Sequence, residues 1–93
     1  MDVSFISLKY ILPAVYALLL QDSDCVILVK PQFEAGRKAL NKHGIVKSES
    51  VRKQVLQEIL EFAQQTGFTV QASCESPVHG GDGNIEYLAW LRK

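Results

Sequence analysis

The sequence predicts an α/β domain, and three observations carry that reading. Cys25-Val26-Ile27-Leu28-Val29 is an apolar run without alternation, the pattern of a strand covered on both faces. Val51, Val55, Leu56, Ile59, Leu60, Phe62 and Ala63 recur at helical spacing further along the chain. Phe68 to Ala72 and Ile85 to Leu91 read as consecutive strands, which predicts an antiparallel pair at the end of the chain. The order is helix, strand, long loop, helix, strand, strand. That is half of a doubly wound domain, closed by an antiparallel strand.

Each element has local support. Val3 to Ser7 either ends a strand or forms the turn after one, and Ser7 is placed to cap a helix from about Leu8 to Leu20. Apolar residues lie on nearly all sides of that helix, as suits one packed between other elements. Pro13 either kinks it or marks its first turn, and both readings stay open. Gln21-Asp22-Ser23-Asp24 is a turn, and the strand at Cys25 to Val29 is expected to be central and parallel. Residues 31–47 read as a long loop and form the most basic stretch, with Arg37, Lys38, Lys42, His43 and Lys47. Ser48 or Ser50 caps the second helix, which reaches Gln65 or Thr66 and stops at Gly67.

Composition narrows the function classes. The 93 residues make one small domain, and 47% hydrophobic against 22% charged residues excludes a disordered chain. Ten basic residues balance ten acidic ones, so any RNA partner must find most of its phosphate-binding charge elsewhere. Cys25 and Cys74 match no metal or disulfide framework and read as free, buried thiols in a reducing cytoplasm. His43 and His79 lie in loops without convergent ligands, so no metal site is expected. The apolar run from Ile11 to Leu20 is too short to span a bilayer and shows no basic amphipathic face, which argues against membrane association. Gly80-Gly81-Asp82-Gly83 precedes a strand, not a helix, so it lacks the dipole of a phosphate loop.

The candidate site starts from Lys30, a charge set where a buried strand emerges and fixed there by Pro31. Ligands of open α/β sheets sit beyond the carboxyl ends of the strands. Asp2 and Glu86 are the other ionisable residues at strand ends, and an antiparallel neighbour brings Glu86 to the same edge as Lys30. Taken singly, each is an ordinary turn or strand-end residue.

Four segments then resemble a known family in order and spacing. They are Asp2-Val3-Ser4-Phe5-Ile6-Ser7-Leu8, Val29-Lys30-Pro31-Gln32-Phe33-Glu34, Gly44-Ile45-Val46 and Gly83-Asn84-Ile85-Glu86-Tyr87. Together they resemble the C-terminal half of the haemolysin A family, similar to FtsJ-type ribosomal RNA 2′-O-methyltransferases. The resemblance implies the C-terminal half of a Rossmann-like, S-adenosylmethionine-dependent fold, with a mixed sheet, a terminal antiparallel strand pair and two main helices. It also implies a Lys-Asp-Lys-Glu catalytic tetrad, in which Asp2, Lys30 and Glu86 match three members. The first lysine, the glycine-rich cofactor loop and an S4-type RNA-binding domain have no counterpart in these residues. The chain is therefore expected to be a fragment that binds no S-adenosylmethionine alone.

In that reading Lys30 holds the ribose 2′-hydroxyl in line or, when neutral, accepts its proton. Lysine ionises near about 10.4, so a base role needs burial and a second cation. Phe33 is a candidate for stacking on a base, and Arg37, Lys38, Lys42 and Asn84 are candidates for RNA contact. The implied partner is ribosomal RNA and the implied location cytoplasmic. The competing reading is a non-catalytic module that forms a homo-oligomer through an exposed sheet edge. A haemolysin-like membrane activity is the weakest of the three.

Overall fold

The computed structural model describes residues 7–34, 45–77 and 83–93. Helix α1 spans Leu8–Leu18, and Ser7 caps it by accepting a 3.2 Å hydrogen bond from the Lys9 N–H. Pro13 lies inside the helix and so does not mark its first turn. At the far end the Lys93 ammonium donates to the carbonyls of Tyr16 and Leu19 at 2.7 and 2.8 Å and sits 4.5 Å above the Tyr16 ring. These are carbonyls that a helix terminus leaves without partners, and the cation also suits the negative end of the helix dipole.

Strand β1 (Asp24–Val29) leads into a single helical turn, α2 (Pro31–Glu34). The expected loop after Lys30 therefore begins as helix. Helix α3 (Glu49–Thr66) is capped by Ser48, whose hydroxyl accepts from the Val51 N–H at 3.3 Å. It ends at Gly67, where φ is +129° and a Cβ would lie 2.6 Å from a Tyr16 ring carbon. Only glycine meets both demands. Strands β2 (Thr69–Glu75) and β3 (Tyr87–Arg92) follow.

The three described strands are ordered β1-β3-β2, and both ladders are antiparallel. The pairing of β2 with β3 is the one expected. On the side of β1 that the described residues show, the neighbour is β3 and it runs antiparallel, where a parallel neighbour was expected. An unbroken apolar run reports that both faces are apolar, but carries no information on the direction of the neighbouring strand.

One face of the sheet holds the core. Ile27 and Val29 of β1 and Tyr87, Ala89 and Leu91 of β3 are buried with Leu8 and Leu12 of α1 and Val55, Ile59 and Ala63 of α3. Phe68 closes the group and meets Tyr16 edge-on, ring centroids 5.1 Å apart. On the opposite face Val26 and Trp90 stay substantially exposed among the described residues. Helix α1 likewise packs on one side only, leaving Tyr10 and Leu18 exposed, with Leu20 exposed just beyond its end, so the expected burial all round is not found. The thiols also differ from expectation: Cys25 is half-buried and Cys74 is exposed, because it faces away from the core on β2. Burial pushes the Cys25 thiol up, which disfavours its reactive thiolate.

The strand end far from Lys30 is pinned by Asp24, which accepts hydrogen bonds from the Arg92 guanidinium at 2.9 Å and the Trp90 indole at 3.0 Å. These bonds, Arg92 first, hold the Asp24 carboxyl below the ordinary carboxylate range.

Candidate active site

Lys30 follows β1 directly, and Pro31 occupies the first position of α2, where a missing N–H costs nothing. Pro31 is fully buried, and the Phe33 N–H donates to the Lys30 carbonyl at 3.0 Å, closing the turn. The backbone that presents Lys30 is therefore fixed by a buried ring and a local hydrogen bond. The Lys30 ammonium stands 6.0 Å from the Phe33 ring centroid, at the outer limit of a cation–π contact.

The β1–β3 ladder ends on the pair Val29 and Tyr87. Lys30 and Glu86 are the next residues past that pair, so both lie at the same end of two neighbouring strands. On its other side Glu86 is tied to the end of β2, its carbonyl accepting from the Ser76 N–H at 2.8 Å. The Glu86 residue is only 4% exposed, and its Oε2 accepts from the Gln32 Nε2–H at 2.7 Å. A carboxylate so deeply placed is tolerable only with such charge-assisted hydrogen bonds.

Glu34 extends the assembly in the opposite direction. Its carboxylate accepts from the Ser7 hydroxyl and from the Leu8 N–H, the latter at 2.8 Å. An acidic group at that position satisfies orphan N–H groups and the positive end of α1. One turn of helix thus reaches the entrance of β3 through Gln32 and the start of α1 through Glu34. Neither residue was picked out from sequence. The available signal was that both belong to the same strand-end segment as Lys30 and are separated by one position, so they splay to different neighbours.

The remaining candidates divide clearly. Asn84 is 4% exposed, and its Oδ1 accepts from the Val46 N–H at 3.0 Å. That bond anchors the segment before α3, where the Arg52 guanidinium also donates to the carbonyls of Val46 and Lys47. Phe33 is half-buried beside Lys30. Asp2, Arg37, Lys38 and Lys42, together with His43 and His79, lie outside the described residues. Among the described residues no group of three or more potential metal ligands occurs, and no helix is long and apolar enough to cross a membrane. Their two glycines, Gly67 and Gly83, do not form a glycine-rich strand-to-helix turn. The described residues thus do not fit an adenosyl cofactor as its cradle.

A lysine and a buried, hydrogen-bonded carboxylate at adjoining strand ends define a candidate group-transfer site. Comparison with known proteins gives it a family. A family model described as FtsJ-like methyltransferase matches residues 1–93, and the chain belongs to that family. It is 50% identical over 90 residues to YqxC of Bacillus subtilis, a candidate rRNA methyltransferase, covering 97% of this chain and 32% of that protein. It is 40% identical over 91 residues to the 16S/23S rRNA (cytidine-2′-O)-methyltransferase TlyA of Mycobacterium tuberculosis, covering 98% of this chain and 34% of TlyA. A solved structure from Streptococcus thermophilus, described as a candidate hemolysin, superimposes with a TM-score of 0.94 at 50% identity, over 99% of this chain and 33% of that one. The chain spans about a third of the length of the relatives it matches. Methyltransferases of this type use S-adenosylmethionine.

Proposed function

We propose that this chain supplies the substrate side of an S-adenosylmethionine-dependent ribosomal RNA ribose 2′-O-methyltransferase. The observation that carries the reading is the placement of Lys30 and the buried, Gln32-bonded Glu86 one residue past the last pair of the β1–β3 ladder. The fold is read as the C-terminal half of a Rossmann-like domain, and the cofactor cradle is assigned to the additional length of its relatives. The location is read as cytoplasmic, where ribosomal RNA is found.

A ribose hydroxyl is a weak nucleophile until it is deprotonated or held in line with the methyl donor. Lys30 holds that hydroxyl in line or, in its neutral amine form, takes its proton and becomes the ammonium, while Glu86 and Asp2 orient the lysine side chain and the ribose. Phe33 offers a ring for a base, and Arg37, Lys38 and Lys42 supply charge for phosphates. Asn84 serves RNA indirectly, by holding the Val46 segment in place. The test is transfer of labelled methyl from S-adenosylmethionine to ribosomal RNA by a family protein of full length carrying these residues. Label is expected in the RNA; none under saturating cofactor would remove the reading.

A second reading, self-association, is favoured by the exposed Val26 and Trp90 on the sheet and by a net charge of zero, which offers no repulsion between copies. A second copy is its occupant. Sedimentation of the isolated chain distinguishes the two: a dimer supports it, and a strictly monomeric folded species counts against it.

A further inference from the structure

We propose that Gln32 is a positioning residue of the methyl-transfer site: its amide N–H aims Glu86, and its carbonyl oxygen receives a ribose hydroxyl of the bound RNA. The inference rests on the methyltransferase reading and deepens it.

The orientation of the Gln32 amide is dictated by chemistry. A carboxylate only accepts, so the group 2.7 Å from Glu86 Oε2 must be the NH2, and the carbonyl must point the other way. That carbonyl oxygen, Oε1, is buried and has no hydrogen-bond partner among the described residues. Buried acceptors are normally satisfied, and at a catalytic site a donor that arrives with the substrate accounts for an exception. Phosphates bring only acceptors. A ribose hydroxyl brings a donor, and Glu86 is the carboxylate assigned to orient the ribose. The arm that carries Gln32 is rigid, since Pro31 is buried at its base and Glu34 is tied to α1 at its end. A side chain held at both ends of its turn can transmit a fixed angle to Glu86.

The experiment compares Gln32→Leu, Gln32→Glu and, as control, Lys30→Ala in the full-length protein. Gln32→Leu is expected to lower kcat about ten- to hundredfold, the scale of one charge-assisted hydrogen bond. It also raises the KM for RNA several-fold, while S-adenosylmethionine binds as in the wild type. Gln32→Glu sets two carboxylates against each other, and a shared proton restores the donor. Its rate relative to wild type is therefore expected to climb as pH falls from about 8 to about 5.5, while the Gln32→Leu ratio stays flat. A merely structural role would not produce that contrast. Wild-type kcat in Gln32→Leu beside an inactive Lys30→Ala overturns the inference and leaves the methyltransferase reading standing. A flat Gln32→Glu ratio overturns the aiming of Glu86, and an unchanged KM for RNA overturns the carbonyl contact. A fully active Lys30→Ala overturns the methyltransferase reading itself.

Discussion

Replacing Lys30 with alanine in the full-length protein is expected to lower methyl transfer to ribosomal RNA by at least about a hundredfold, the usual contribution of a proton-transferring side chain. The fold should be unaffected. Lys30 is half-buried and lies outside the core cluster, and the turn that presents it is held by Pro31 and by the Phe33 N–H. Lys30→Arg is expected to be nearly as inactive. A guanidinium does not give up its proton, and its flat fork cannot stand where a compact ammonium stood. Equal melting temperatures for the three proteins, with labelled methyl incorporation only in the wild type, is the expected result. An alanine variant of unchanged rate would sink the assignment.

The largest effect on stability is expected from Leu91→Ala. Leu91 is 0% exposed and sits on β3, the middle strand of the described sheet, facing Cys25 on one side and Val70 on the other. Truncation leaves a cavity where both ladders and the helix layer meet, at a cost of about 2–5 kcal/mol. Leu18→Ala provides the contrast. Leu18 is 84% exposed on α1, so its loss should change stability by no more than about 0.5 kcal/mol. Chemical denaturation of the isolated chain measures both, and similar small shifts would contradict the placement of the core.

Much of this architecture was legible because it rests on local chemistry. Ser7 and Ser48 announce their helices by accepting backbone N–H groups, and Gly67 ends α3 because the chain there needs a positive φ. The apolar stripe of α3 reports one buried face, and Val55, Ile59 and Ala63 fill it. That Lys30 and Glu86 fall at the same sheet end was legible because antiparallel pairing joins the end of one strand to the start of another. What stayed hidden depends on contacts between distant segments. The apolar residues of β1 do not say which way a neighbour runs, and those of α1 do not say that Tyr10 and Leu18 face outward. The reach of Gln32 to Glu86 spans 54 positions and that of Glu34 to Ser7 spans 27, distances over which residue type alone carries no pairing information. Asn84 was picked out for RNA contact, yet its buried carboxamide oxygen is already engaged by Val46.

The decisive measurement is the chemical position of the transferred methyl group. A 2′-O-methyl blocks alkaline cleavage of the adjoining phosphodiester, because the attacking hydroxyl is gone. Ribosomal RNA labelled by the full-length protein and digested with alkali should therefore carry its label in resistant dinucleotides, and Lys30→Ala should yield none. Label recovered in ordinary mononucleotides, or the same dinucleotide yield from Lys30→Ala, would contradict a ribose-methylating site built on Lys30 and Glu86.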